Sequence, residues 1–152
     1  MKLKKYLALI LTTFCFYFAI SQQITTDTSL SLEQLIQNNL GQNCVEISNI
    51  VSSVNGSANG FSSYGSFEKG DSNFPFENGI VLTTGNVDSA GNVLNTNPLN
   101  EGDETWLTDL DLENALGITD THNATSIQFN FISVANQIQF NYILASEEYA
   151  QN

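Results

Sequence analysis

The chain has 152 residues, with four basic side chains against sixteen acidic ones and a formal charge of −12 at pH 7. Lys2, Lys4 and Lys5 precede an apolar run; beyond residue 21 Lys69 alone faces all sixteen carboxylates, a formal charge of −15. A surface of that sign repels phosphate backbones and excludes nucleic-acid binding, and the length allows one domain with a core but not two.

The N-terminus reads as a signal peptide over residues 1–21. A basic start is followed by an apolar stretch from Tyr6 to Ile20 and by Ala19-Ile20-Ser21, a small-residue site with the cut before Gln22. The apolar run is shorter than the ~20 residues that span a bilayer, so the mature part, residues 22–152, is expected to carry no transmembrane anchor. Cys15 leaves with the leader and only Cys44 remains, which rules out an intrachain disulfide. Cys44, just before a strand, reads as a small buried apolar residue.

Residues 28–41 predict a helix. Ser31 and Gln34 form a capping box, Leu30 and Leu35 a hydrophobic staple, and Leu32, Leu35, Ile36 and Leu40 one apolar face. Gly41 stands where a left-handed C-terminal cap belongs. Val45, Ile47, Ile50 and Val51 predict a strand, followed by an Asn/Gly/Ser stretch over residues 52–60. Phe61, Tyr64 and Phe67 fit a short strand or an aromatic loop; exposed they would suit sugar stacking, although aromatics plugging a loop onto the core are commoner. Ile80-Val81-Leu82, bounded by Gly79 and Gly85, reads as a central strand buried on both faces. The Asn- and Gly-rich residues 86–100 make a loop long enough to suggest a functional role.

Residues 101–120 hold Glu101, Asp103, Glu104, Asp109, Asp111, Glu113 and Asp120 around Trp106, with no base among them. Hard oxygen ligands at this density suit Ca²⁺. In the calcium-loop template Asp109, Asp111 and Glu113 take positions 1, 3 and 5 and Asp120 position 12, but Asn114 replaces the turn glycine and Asp120 the bidentate glutamate. Another Ca²⁺ site built from these acids, Asp103 included, fits better than that template. So does a metal-free reading: solvated acids and a short helix over Leu110–Leu116, capped by Asp109 and closed by Gly117. Trp106 is the candidate ligand-contacting aromatic. His122, the sole histidine, reads as an exposed loop residue.

Residues 124–149 alternate twice. Ile127, Phe129 and Phe131 share one face, then Ile138, Phe140, Tyr142 and Leu144, with a polar turn over residues 133–137. The expectation is an antiparallel hairpin laid on a core. Its period places Glu148 on the core side, where a carboxylate must be neutralised, hydrogen-bonded or coordinated. Glu148 is therefore the sixth candidate metal ligand.

The helix LSLEQLIQNNL, then GIVLTTGN, DLDLENALG and SIQFNFISVANQIQFNYILASEEY, in that order, resemble the choice-of-anchor L domain. GIVLTTG and ASEEY are the most specific strings, and the likeness runs from Ser29 to the last residue. It implies an exported bacterial surface protein without enzymatic activity, displayed or adhesive. It also implies an N-terminal part of a longer domain with an exposed sheet edge. Asp88-Ser89-Ala90 is similar to a short O-glycosylation signal of such bacteria.

Three classes of function are open to this sequence. The favoured one is a secreted or cell-surface binding module, Ca²⁺-stabilised or not, engaging a glycan or a protein. The second is a secreted carbohydrate-active hydrolase, which would need two carboxyls facing one sugar at ~5 to 9.5 Å; adjacent Glu147 and Glu148 in a strand point to opposite faces and do not supply them. The third is a structural spacer of a larger surface protein. The expected fold is mainly β, an antiparallel sandwich-like domain with one N-terminal helix.

Overall fold

The computed structural model describes residues 23–41, 45–91, 99, 101–133, 136–137 and 139–146. The fold is mainly β, with two antiparallel sheets and two α-helices. Strands β1 (Thr25–Asp27), β3 (Tyr64–Glu68) and β4 (Asn78–Leu82) form one sheet in the order β1-β3-β4. Strands β2 (Val45–Val51) and β5 (Gln128–Ser133) form the other.

Helix α1 (Leu32–Leu40) starts as its letters dictate. The Ser31 hydroxyl accepts from the Gln34 N–H at 3.2 Å, and the Gln34 side chain accepts from the Ser31 N–H at 3.0 Å. This reciprocal pair satisfies two of the donors that a helix start leaves without partners. Its end differs from expectation. Gly41 lies at φ −78°, in the right-handed region, so no left-handed cap closes the helix. A Cβ there would stand 2.7 Å from the Gln37 carbonyl oxygen, and close approach, not left-handedness, is what requires glycine. Leu35 and Ile36 are fully buried, and α1 packs against both β2 and β4, joining the two sheets.

β2 and β5 pair from Val45↔Ser133 to Val51↔Gln128, with a register shift between Ser48 and Val51 where Asn49 takes φ +53°. The bulge absorbs the break in alternation that the sequence shows at Asn49-Ile50.

Among the described residues the GIVL run is not a central strand. β4 lies at the edge of its sheet, with Ile80 and Val81 half-buried and Leu82 exposed, whereas β3 takes the centre. The reason is visible in β3. Gly65 lets β1 approach so closely that a Cβ would sit 2.7 Å from the Asp27 carbonyl oxygen. The ring of buried Phe67 lies over Gly79 of β4, which has no side chain to displace it. Phe67 then meets Phe74 edge-on at 5.3 Å, and Phe74 meets Phe76 likewise at 6.0 Å, so these aromatics plug a loop onto the sheet.

The expected hairpin is half formed. Its first arm is β5, which pairs with β2. The described residues 139–146 of the second arm are in no strand, and Phe140, Tyr142, Ile143 and Leu144 are exposed. Pairing with β2 supplies β5 with a partner of greater sequence distance, and among the described residues the other edge of β5 has none. Glu148, Cys44 and the signal peptide lie outside the described residues, as do residues 92–98 of the long loop.

Candidate functional site

The acidic stretch folds around Trp106. The indole is 6% exposed, lies 5.1 Å from the Phe61 ring, and donates its Nε1–H to the Ala124 carbonyl at 2.8 Å. Asn123 closes the other side. Its side-chain oxygen accepts from the Trp106 N–H, and its own N–H donates to the Trp106 carbonyl. Ala124 N–H to Leu107 extends this ladder, and the Asn59 amide ties in Thr105 at 2.8 Å. The clamp is tight enough to need Gly102 at φ +82°, where a Cβ would stand 2.5 Å from the Asn123 amide nitrogen. Asp103, Glu104, Asp120 and Asn123 also take positive φ, a conformation more readily adopted by Asp and Asn than by most side chains.

A cleft of about 540 Å³ opens beside the indole. One wall is the loop over residues 53–59, with Val54, Asn55, Ala58 and Asn59. The other is formed by residues 104–108 and 120–122, with Glu113 behind them. At its mouth His122 Nε2 lies 3.6 Å from an Asp120 carboxylate oxygen, both side chains being substantially exposed.

Helix α2 (Leu110–Leu116) occupies the letters that also fit a calcium loop. Asp109 caps it, accepting from the N–H groups of Asp111 and Leu112 at 3.0 Å each, and Gly117 at φ +66° closes it. The short helix expected over Leu110–Leu116 is the conformation these letters adopt. Glu113, three residues into α2, turns inward and is 9% exposed. One of its oxygens accepts from the Thr108 hydroxyl at 2.5 Å, the Thr121 N–H at 2.7 Å and the Thr121 hydroxyl at 3.0 Å. The Thr108 and Thr121 hydroxyls also contact each other. These donors, the Thr108 hydroxyl foremost, hold the Glu113 carboxyl below its usual value. The group clamps residues 108 and 121 across the base of the cleft.

Of the candidate metal ligands, Glu113 and Asp120 border the cleft and Asp109 is occupied as a helix cap. Asp103 lies in the turn before Trp106, and Asp111 lies in the first turn of α2. No three His, Cys, Asp or Glu side chains converge to hold a metal ion among the described residues. Glu101 does different work: its carboxylate accepts from the Asn86 N–H at 2.8 Å and the Ser89 hydroxyl at 2.6 Å, pinning the 3₁₀ turn Val87–Ala90. The serine of the glycosylation-like tripeptide is thus already engaged.

Sequence reasoning missed Asn123, Thr108 and Thr121. All three are common polar letters in a polar run, and only contacts 5 to 17 residues away in sequence reveal their roles.

The pH response follows from Glu113. Because its carboxyl is lowered in the folded state, its contribution is present above the ordinary glutamate value of about 4.3 and lost as pH falls through the folded value. Asp27, lowered chiefly by the Ser29 N–H and then its hydroxyl, adds in the same direction. Stability, followed by urea unfolding at fixed ionic strength, should therefore fall on acidification below about pH 4.3. In Glu113→Gln the slope should be shallower; an unchanged slope would show that Glu113 titrates normally.

Among comparisons with known proteins, the choice-of-anchor L domain model matches residues 23–152. No curated protein and no solved structure matches the chain. Within the described residues no helix is long and apolar enough to cross a membrane. The family is one of surface-associated modules and is not an enzyme family. With a match over nearly its whole length, this chain belongs to the choice-of-anchor L domain family.

Proposed function

We propose that the chain is an exported, surface-associated adhesion module that contacts its partner through the Trp106 cleft and catalyses nothing. The observation that carries this reading is the family match over residues 23–152. The leader-like N-terminus supports export. Against a hydrolase, the innermost carboxylate of the cleft, Glu113, has one oxygen taken by three donors and is held ionised, which suits neither a proton donor nor a free nucleophile.

Surface display is tested by protease treatment of intact cells producing the chain from its natural start. Digestion of the protein outside, with a cytoplasmic marker spared, is expected; protection of the whole pool would overturn the reading.

Calcium enters this reading as relief of charge repulsion, since sixteen carboxylates face one lysine in the mature part. Millimolar CaCl₂ should raise the unfolding midpoint above that in NaCl of equal ionic strength, and chelator should reverse the rise. Equal midpoints in the two salts would leave the acids as a solvated surface.

A further inference from the structure

We propose that the Trp106 cleft receives an arginine side chain from a basic segment of a partner protein. This rests on the binding-module reading and names the ligand class of that site. The cleft, at about 540 Å³, exceeds what one side chain fills and leaves room for the flanking backbone. Hydrogen-bonding groups of its walls are largely committed within the fold. The Asn55 amide holds the Ser52 carbonyl and the Ser57 N–H, and the Asn59 amide holds Thr105. The Thr108 and Thr121 hydroxyls hold Glu113, and the indole N–H holds Ala124. A neutral polyhydroxy ligand would find few of these groups free. The charged groups left at the walls are the carboxylates of Glu104 and Asp120, with His122 beside the latter and no lysine or arginine in the lining. That combination rejects anions. It favours a planar cation, because a guanidinium presents paired N–H groups to carboxylate oxygens and is less strongly hydrated than an ammonium. The apolar surfaces of Val54, Ala58 and exposed Leu107 suit the three-methylene stem that carries the guanidinium.

Trp106 is the protein's only tryptophan, so its fluorescence reports on the cleft alone. The probe is a blocked Gly-Ser-Arg-Ser-Gly peptide, titrated at fixed ionic strength. Its control is the same peptide with citrulline, which keeps the shape of arginine and drops the charge. A saturable change with the arginine peptide is expected, weakened about ten-fold or more with citrulline and in Asp120→Asn, as loss of a charge-assisted pair predicts. Asparagine tolerates the φ of +69° at position 120, so the fold should survive the exchange. Glu104→Gln provides an independent second variant, and thermal melts check that both remain folded. Three results would overturn the proposal: equal affinity for the two peptides, no saturable response to arginine peptide at millimolar concentration, or saturation by a neutral oligosaccharide in its place. The oligosaccharide result would replace the ligand class and keep the cleft as a binding site, whereas failure of surface display appears only in the protease experiment.

Discussion

Replacing Trp106 by alanine should destabilise the protein by about 3–5 kcal/mol, the range for removing a large aromatic from a core. The indole packs on Phe61, is nearly inaccessible, and anchors the Ala124 carbonyl. Its removal opens a void between the loop over residues 53–59 and the loop that Asn123 clamps, and neither can collapse onto the other because each is tied elsewhere by backbone bonds. Domains of this size have total stabilities of about 5–15 kcal/mol, so the loss is a large share. Trp106→Phe retains a ring but leaves the Ala124 carbonyl unpaired, and should cost less, about 1–3 kcal/mol. Urea midpoints for the two variants check the order. A loss below about 1 kcal/mol for Trp106→Ala would mean that the indole is not a core element.

Leu35→Ala is the second large effect, at about 2–5 kcal/mol for a buried leucine truncated to alanine. Its position matters more than its size. α1 packs on β2 of one sheet and β4 of the other, and Leu35 and Ile36, each 1% exposed, are the residues of the helix buried in that contact. A cavity beneath α1 should therefore loosen both sheets together. Amide hydrogen exchange is the measurement: protection should fall in β2 and β5 as well as in β3 and β4. Loss confined to one sheet would show that α1 does not couple them.

The elements that the sequence made legible share one property, that their cause lies within a few residues. Ser31 and Gln34 cap α1 because the capping box spans three residues. Asp109 and Gly117 bound α2 for the same reason, with a side-chain acceptor at one end and left-handed backbone at the other. The alternation of Phe129 and Phe131 marked β5, although it gave no indication that β2 would be the partner. GIVL failed for a related reason. An apolar run indicates a strand, but centre or edge depends on which neighbours the chain places beside it, and β3 has Gly65 to admit β1 closely.

The cleft was legible only as a density of acids around a tryptophan. Its geometry depends on Asn123 clasping Trp106 across 17 residues, Asn59 reaching Thr105 across 46, and Glu113 turning inward to Thr108 and Thr121. Composition by itself determined the charge, and local spacing determined the helix ends and strand periods, because capping and pleating are short-range effects. Tertiary structure decided which carboxylates are exposed at the cleft and which one is buried as a structural clamp, because burial and hydrogen bonding depend on residues that only folding brings together.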